Sequence, residues 1–177
     1  GTTSDGVLLA LTFVALNLAL PAAAGLSAAW LGRALAGRSE PLRVAFSRYT
    51  PAIVPLAFAI WLAHYGFHFA TGALTIVPVF QNFLLDHGIT WLGEPNWSLG
   101  PILPGNWVLP LQTIIVLGGF AASLFAGNRI GRRDFYSPTA ARFSLLPWLV
   151  VLLVLAGAAL ATFNLPMEMR GTLFLGG

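Results

Sequence analysis

From residue 143 to residue 163 the chain carries no charged side chain, and its LLPWLVVLLVLAGAALATF segment is almost wholly hydrocarbon. Three further stretches, about 7–31, 52–79 and 107–126, are equally free of Asp, Glu and Arg. A bilayer interior about 30 Å thick is crossed by about 20 helical residues, because each adds about 1.5 Å. The expected fold is therefore all-α: an integral membrane four-helix bundle forming a single transmembrane domain over residues 1–177. Asn17 and Pro21 in the first span, and Gly118 and Gly119 in the third, are expected to serve packing and kinking. Only 8% of the residues are charged and 57% are apolar. A water-soluble domain carries about 25% charged residues, so a cytoplasmic globular enzyme, a disordered tail and a nucleic-acid binder are all excluded. The pI near 10.2 does not change this, since the net charge is only +3.

The basic residues are sorted by side. Arg33, Arg38, Arg43 and Arg48 follow the first span; Arg129, Arg132, Arg133 and Arg142 follow the third; Arg170 alone lies elsewhere. Asp5, Asp86, Glu94 and Glu168 fall on the opposite side. The positive-inside rule makes both arginine loops cytoplasmic and sends both termini and the 81–106 loop outward. The arginines are otherwise read as topology determinants in contact with anionic lipid. In the outer loop, Phe80, Phe83, Leu84, His87 and Trp91 recur at helical spacing, which predicts a short amphipathic helix lying in the interface. Trp91, Trp97 and Trp107 supply an aromatic belt. The chain starts Gly-Thr-Thr-Ser-Asp-Gly, without an initiator Met or a basic leader, and is expected to be a fragment of a larger membrane protein.

His64 and His68 are the first candidates for chemistry. Four residues apart, they share one face of the second helix, and helical steps extend that face to Trp61, Thr71 and Thr75. An ionisable side chain at membrane depth points to a bundle interior, a cavity or a cofactor. One reading makes each His neutral and hydrogen-bonded to a neighbouring helix, with Gly66 and Gly72 permitting close packing. Another has His64, with Tyr65 or Trp61, hydrogen-bonding or stacking on a quinone head, or relaying a proton. Haem is the weaker alternative, because two His on one face cannot ligate opposite sides of one macrocycle. The spacing also lacks the Glu of a zinc-protease helix.

On the outer side, Met167 and Met169 flank Glu168. In an extended segment both thioethers face one way and could approach a soft Cu(I) ion, with His87 as a third ligand. The bland alternative is an interfacial tail whose Met pack on Trp. With no Cys in the chain, thiolate metal sites and iron–sulfur ligation are excluded here. No carboxylate lies in a span and no Ser/His/Asp triad assembles, so the chain is not expected to be catalytic by itself.

The stretch PLAFAIWLAHYGFHFATGALT at 55–75, Gly93-Glu94-Pro95, and Pro-Met-Glu-Met-Arg-Gly-Thr at 166–172 resemble the C-terminal membrane region of bacterial polyferredoxin-type membrane proteins, the NapH/FixG-like iron–sulfur electron-transfer family. The resemblance implies a bacterial inner membrane and an upstream ferredoxin-like domain whose Cys-rich motifs hold the clusters. No cluster ligand carries over to this chain. Three functions remain open: the membrane domain of such an electron-transfer protein, a structural or assembly subunit of a respiratory or photosynthetic complex, and an outer-face copper-handling protein.

Overall fold

The computed structural model describes residues 3–99 and 101–165, and across them the chain is helical with no strand. Seven α-helices are formed: α1 Thr3–Val14, α2 Leu20–Leu35, α3 Leu42–Tyr49, α4 Val54–Gly72, α5 Ile76–Asp86, α6 Gly105–Asp134 and α7 Pro138–Asn164. A π-helical turn, Ala15–Ala19, joins α1 to α2, and 3-10 turns at Thr50–Ile53 and Ala73–Thr75 join α3 to α4 and α4 to α5. These elements merge into four helical runs long and apolar enough to cross a membrane: Asp5–Leu35, Leu42–Asp86, Gly105–Asp134 and Pro138–Asn164. The chain is a multi-pass membrane protein. Every run is longer than the apolar stretch that announces it. The third, for example, continues through Asn128, Arg129, Arg132 and Arg133, because Arg is a good helix former and need not lie in hydrocarbon to stay helical.

The breaks in these runs follow from proline. Pro21 has no N–H, so the Asn17 carbonyl loses its usual partner four residues on. The backbone responds by widening one turn, in which the Leu20 N–H donates to the Ala15 carbonyl. The Asn17 amide then donates to the Phe13 carbonyl at 2.9 Å, satisfying a polar group in its own helix where no water is at hand. Pro51 lies in the first 3-10 turn and Pro55 just after it. In a regular α-helix Pro78 would clash with the carbonyl of Leu74, which lies in the second 3-10 turn.

The chain folds as two compact units, Gly1–Leu56 with Phe120–Leu155, and Ala57–Gly119 with Ala156–Gly177. In the first unit Trp148 and Tyr49 are the largest buried side chains, packed among Ala28, Ala29, Ala45, Ala141 and Phe135. Their ring centroids lie 6.1 Å apart, and Phe46 approaches Trp148 at 6.0 Å. Small residues bring the backbones together. A methyl group added at Gly32 of α2 would lie 2.5 Å from the Ser144 carbonyl oxygen of α7, and one at Gly127 of α6 would lie 2.7 Å from Leu145 Cδ1. Gly66 and Gly72 play no such part, for a methyl group there would meet nothing within 4 Å among the described residues, and the same holds at Gly118. Ser123 of α6 is fully buried and accepts from the backbone N–H of Leu56 at 2.9 Å.

In the second unit Val116, Ala59, Ala63, Ala156 and Ala159 are buried together with Gln112. The Gln112 amide donates to the Ala63 carbonyl at 3.2 Å. The expected short helix over residues 80–91 is not a separate element: α5, the last part of the second run, ends at Asp86, and Trp91 lies in the turns beyond it. Gly88 causes the stop. It adopts φ 74°, its N–H donates to the Leu85 carbonyl, and the Ile89 N–H donates to the Leu84 carbonyl. These are the crossed bonds of a left-handed helix terminus. Gln81 then clamps the following loop, donating to the Leu92 carbonyl and accepting from the Asn96 N–H, both at 3.0 Å. Farther on, the Ile102 N–H returns to the Ala70 carbonyl at 2.9 Å, just before the helix break.

Candidate functional site

The imidazoles of His64 and His68 lie on α4 with ring centroids 4.8 Å apart, nearly perpendicular at 79°. One helical turn separates them, as their spacing requires. His64 stacks against Phe163 of α7 at 6.4 Å and 19°, and meets the edge of Tyr65 at 5.1 Å. Tyr65 continues to Trp61 at 5.1 Å, and Trp61 to Phe58 at 5.9 Å. The result is a ladder of rings along one helix, half-buried at His64 and exposed at Phe58, Trp61, Tyr65 and His68. Among the described residues neither imidazole makes a hydrogen bond; their contacts are with rings. The hydrogen bond to a neighbouring helix that would explain them as plain packing is not formed there.

Thr71, still within α4, keeps helical register with His64 and His68, whereas Thr75 lies beyond the end of α4. Their hydroxyls donate back to the Phe67 and Gly72 carbonyls at 2.9 and 2.6 Å, and Thr75 sits in the helix break. His87 is apart from the ladder, its Nδ1 2.8 Å from the Phe83 carbonyl and its ring 4.3 Å from that of Phe83. Met167 and Met169 lie outside the described residues. Within the described residues no three or more His, Cys, Asp or Glu side chains gather into a metal-binding group.

A second polar assembly joins the two arginine-bearing connections in the first unit. Arg48 is nearly buried, with 6% of its side chain exposed, and it grips Glu40 through both terminal nitrogens, Nη2 to Oε2 at 2.6 Å. Its Nε donates to Asp134 Oδ2 at 3.2 Å, so a pair formed within the first connection is tied to the end of α6. Arg38 stands 3.5 Å from Glu40, and Arg33 donates to the Glu40 backbone carbonyl at 2.8 Å. Arg38 and Arg48 both lie over the Phe135 ring, 5.3 and 4.9 Å from its centre. A desolvated guanidinium over an aromatic face is a favourable contact. The hydrogen bond from Arg48 holds the Glu40 carboxyl below the usual carboxylate range against the opposing effect of burial, helped by the charges of Arg48 and Arg38.

The arginine loops are therefore partly structural. Glu40 and Asp134 are the two acids on the arginine side, and that placement was the sequence signal for pairing. Gln112 and Ser123 were also passed over. Their signal was a lone amide or hydroxyl inside an apolar span.

No family model, no curated protein and no solved structure matches this chain.

Proposed function

We propose that this chain is the membrane-embedded domain of an electron-transfer protein, in which the His64–His68 face of α4 receives a quinone head. The carrying observation is the pair of imidazoles at mid-helix without a hydrogen bond among the described residues, bordered by the exposed rings of Trp61 and Tyr65. A polar group left unpaired in hydrocarbon costs several kcal/mol, and a ligand that completes its bonding recovers that loss. A quinone fits this need. Its carbonyls accept hydrogen bonds from imidazole N–H groups, its ring stacks on indole and phenol faces, and its tail stays in lipid. Here His64 and His68 hold the carbonyl end, while Trp61 and Tyr65 flank the ring.

The resemblance to the polyferredoxin-type family supplies the rest of the reading. The helices anchor an iron–sulfur module to a bacterial inner membrane, with the arginine loops cytoplasmic and both termini periplasmic. The chain has no Cys, so none of its own side chains supplies the usual thiolate ligands of a cluster. Titrating the chain in detergent with a water-soluble ubiquinone analogue and reading tryptophan fluorescence tests the site. Saturable quenching that weakens at least tenfold in His64→Leu supports it, and equal quenching of both proteins rejects it. Cys-rich motifs in the gene product ahead of Gly1 are expected; their absence would remove the iron–sulfur part of the reading.

The uncovered surface of α1 favours a second reading, a subunit of a respiratory or photosynthetic complex. Residues 5–23 are exposed without interruption, including the π-helical turn and Asn17. A polar turn on a lipid-facing helix is a natural seat for a neighbouring helix. Copurification with a partner from native membranes is the expected result under this reading, and a monodisperse, partnerless chain counts against it.

A further inference from the structure

The eight described arginines divide into two groups. Arg33, Arg38, Arg48 and Arg133 are bound to Glu40 or Asp134. Arg43, Arg129, Arg132 and Arg142 form no hydrogen bond or ion pair among the described residues. One of these, Arg129, edges a groove between the start of the second helical run and the last turns of α6. The groove consists of two depressions of about 360 and 440 Å³ that share Pro51, Ile130 and Arg133. Pro51, Ala126 and Ile130 form an apolar wall in one depression, with Arg129 and Arg133 on its rim; the other is lined by Val44 together with the polar Ser47, Arg48 and Asp134. The carboxylate in that lining, on Asp134, already has Arg48 and Arg133 as partners, so with Arg129 the groove keeps a positive excess.

We propose that this groove binds the phosphate headgroup of an anionic phospholipid, with Arg129 and Arg133 on the phosphate and an acyl chain along the Ala126–Ile130 wall. The chemistry is that of an amphiphile: guanidinium groups match phosphate oxygens, and the apolar wall offers a free phosphate ion nothing. The position agrees, because Arg129 and Arg133 sit in the last turns of a helix long enough to cross the membrane, where headgroups lie. The site does not depend on the quinone reading, since all its residues belong to the first unit and His64 and His68 to the second.

Native mass spectrometry of the detergent-purified chain tests it, with phosphatidylglycerol, phosphatidylcholine or inorganic phosphate added in turn. The expected result is a saturable phosphatidylglycerol adduct, absent with phosphatidylcholine, weakened about five-fold in Arg129→Gln and restored in Arg129→Lys. Arg43→Gln and Arg142→Gln are expected to leave it unchanged. Arg129 makes no ion pair among the described residues, which favours a folded variant. Ala126→Trp, which fills the wall and keeps every arginine, gives an independent reading and is expected to reduce the adduct as much. Equal losses in Arg43→Gln and Arg129→Gln would replace the site by diffuse attraction. Equal binding of phosphatidylcholine, or displacement of the lipid by millimolar inorganic phosphate, would also overturn the proposal.

Discussion

Gly32→Ala adds a single methyl group where α2 meets α7, and the geometry sets its cost. The new carbon would lie 2.5 Å from the Ser144 carbonyl oxygen, and ordinary contact begins at 3.4 Å, so the two helices must part by roughly 0.9 Å. The obstruction is backbone, so no side-chain rotation relieves it. Overpacking of this kind costs about 1–3 kcal/mol, and a backbone clash belongs near the upper end. Replacing glycine by alanine in a helix returns about 1 kcal/mol, leaving a net loss of about 2 kcal/mol. For a chain of this length that is roughly 4–8 °C in melting temperature. Gly66→Ala is the matched control, since its methyl group meets nothing within 4 Å and should leave stability unchanged or raise it slightly. Thermal unfolding in detergent followed by circular dichroism separates the two variants. A Gly32→Ala protein that melts with or above the unsubstituted chain would refute the close approach, as would equal losses in both variants.

Three further outcomes are expected. His64→Leu should impair quinone-dependent activity in membranes more than His87→Leu, because His64 lies in the ring ladder while His87 is tied to its own helix end; equal tolerance of both changes would undo that ranking. The Glu40 carboxyl has a lowered pKa, so its contribution is fully present above the ordinary Glu value of about 4.3 and is lost as pH falls through the lower folded value. Melting curves should therefore show an acid-side loss below about pH 4 that is smaller in Glu40→Gln. Ser123→Ala removes the buried partner of the Leu56 N–H and should cost about 1–3 kcal/mol, whereas Ser47→Ala, at an exposed hydroxyl, should be nearly neutral in the same unfolding assay.

The helical runs were legible because the free energy of placing charge in hydrocarbon is written directly into the order of residues. Their ends were less so. The spacing of Phe80, Phe83, Leu84, His87 and Trp91 continues a helical pattern, yet Gly88 turns the backbone left-handed and ends α5 two residues earlier. Asn17 and Pro21 announced a disturbance, while its form, one widened turn, depends on which carbonyl the proline leaves bare. Glycines were the hardest to sort. Gly32, at the edge of the first apolar span, carries no more signal than Gly66 or Gly118 inside theirs, and only the neighbouring helix decides which of them is pressed. In the candidate site, the shared face of His64 and His68 came from spacing, but the stacking on Phe163 needed a partner far along the chain. The same holds for the tie between Arg48 and Asp134, 86 residues apart.

That long separation bears on how the chain is made. Glu40 and Arg48 are eight residues apart and can meet as soon as the first hairpin leaves the ribosome. Asp134 arrives only after α4, α5 and α6 have been synthesised. A nascent chain thus can neutralise the nearly buried Arg48 early, with a carboxylate from the same connection, and later receives a second anion as a latch. Without Glu40, Arg48 would wait through most of translation as a bare charge at the membrane edge, and insertion rather than final stability is where that loss would first be felt.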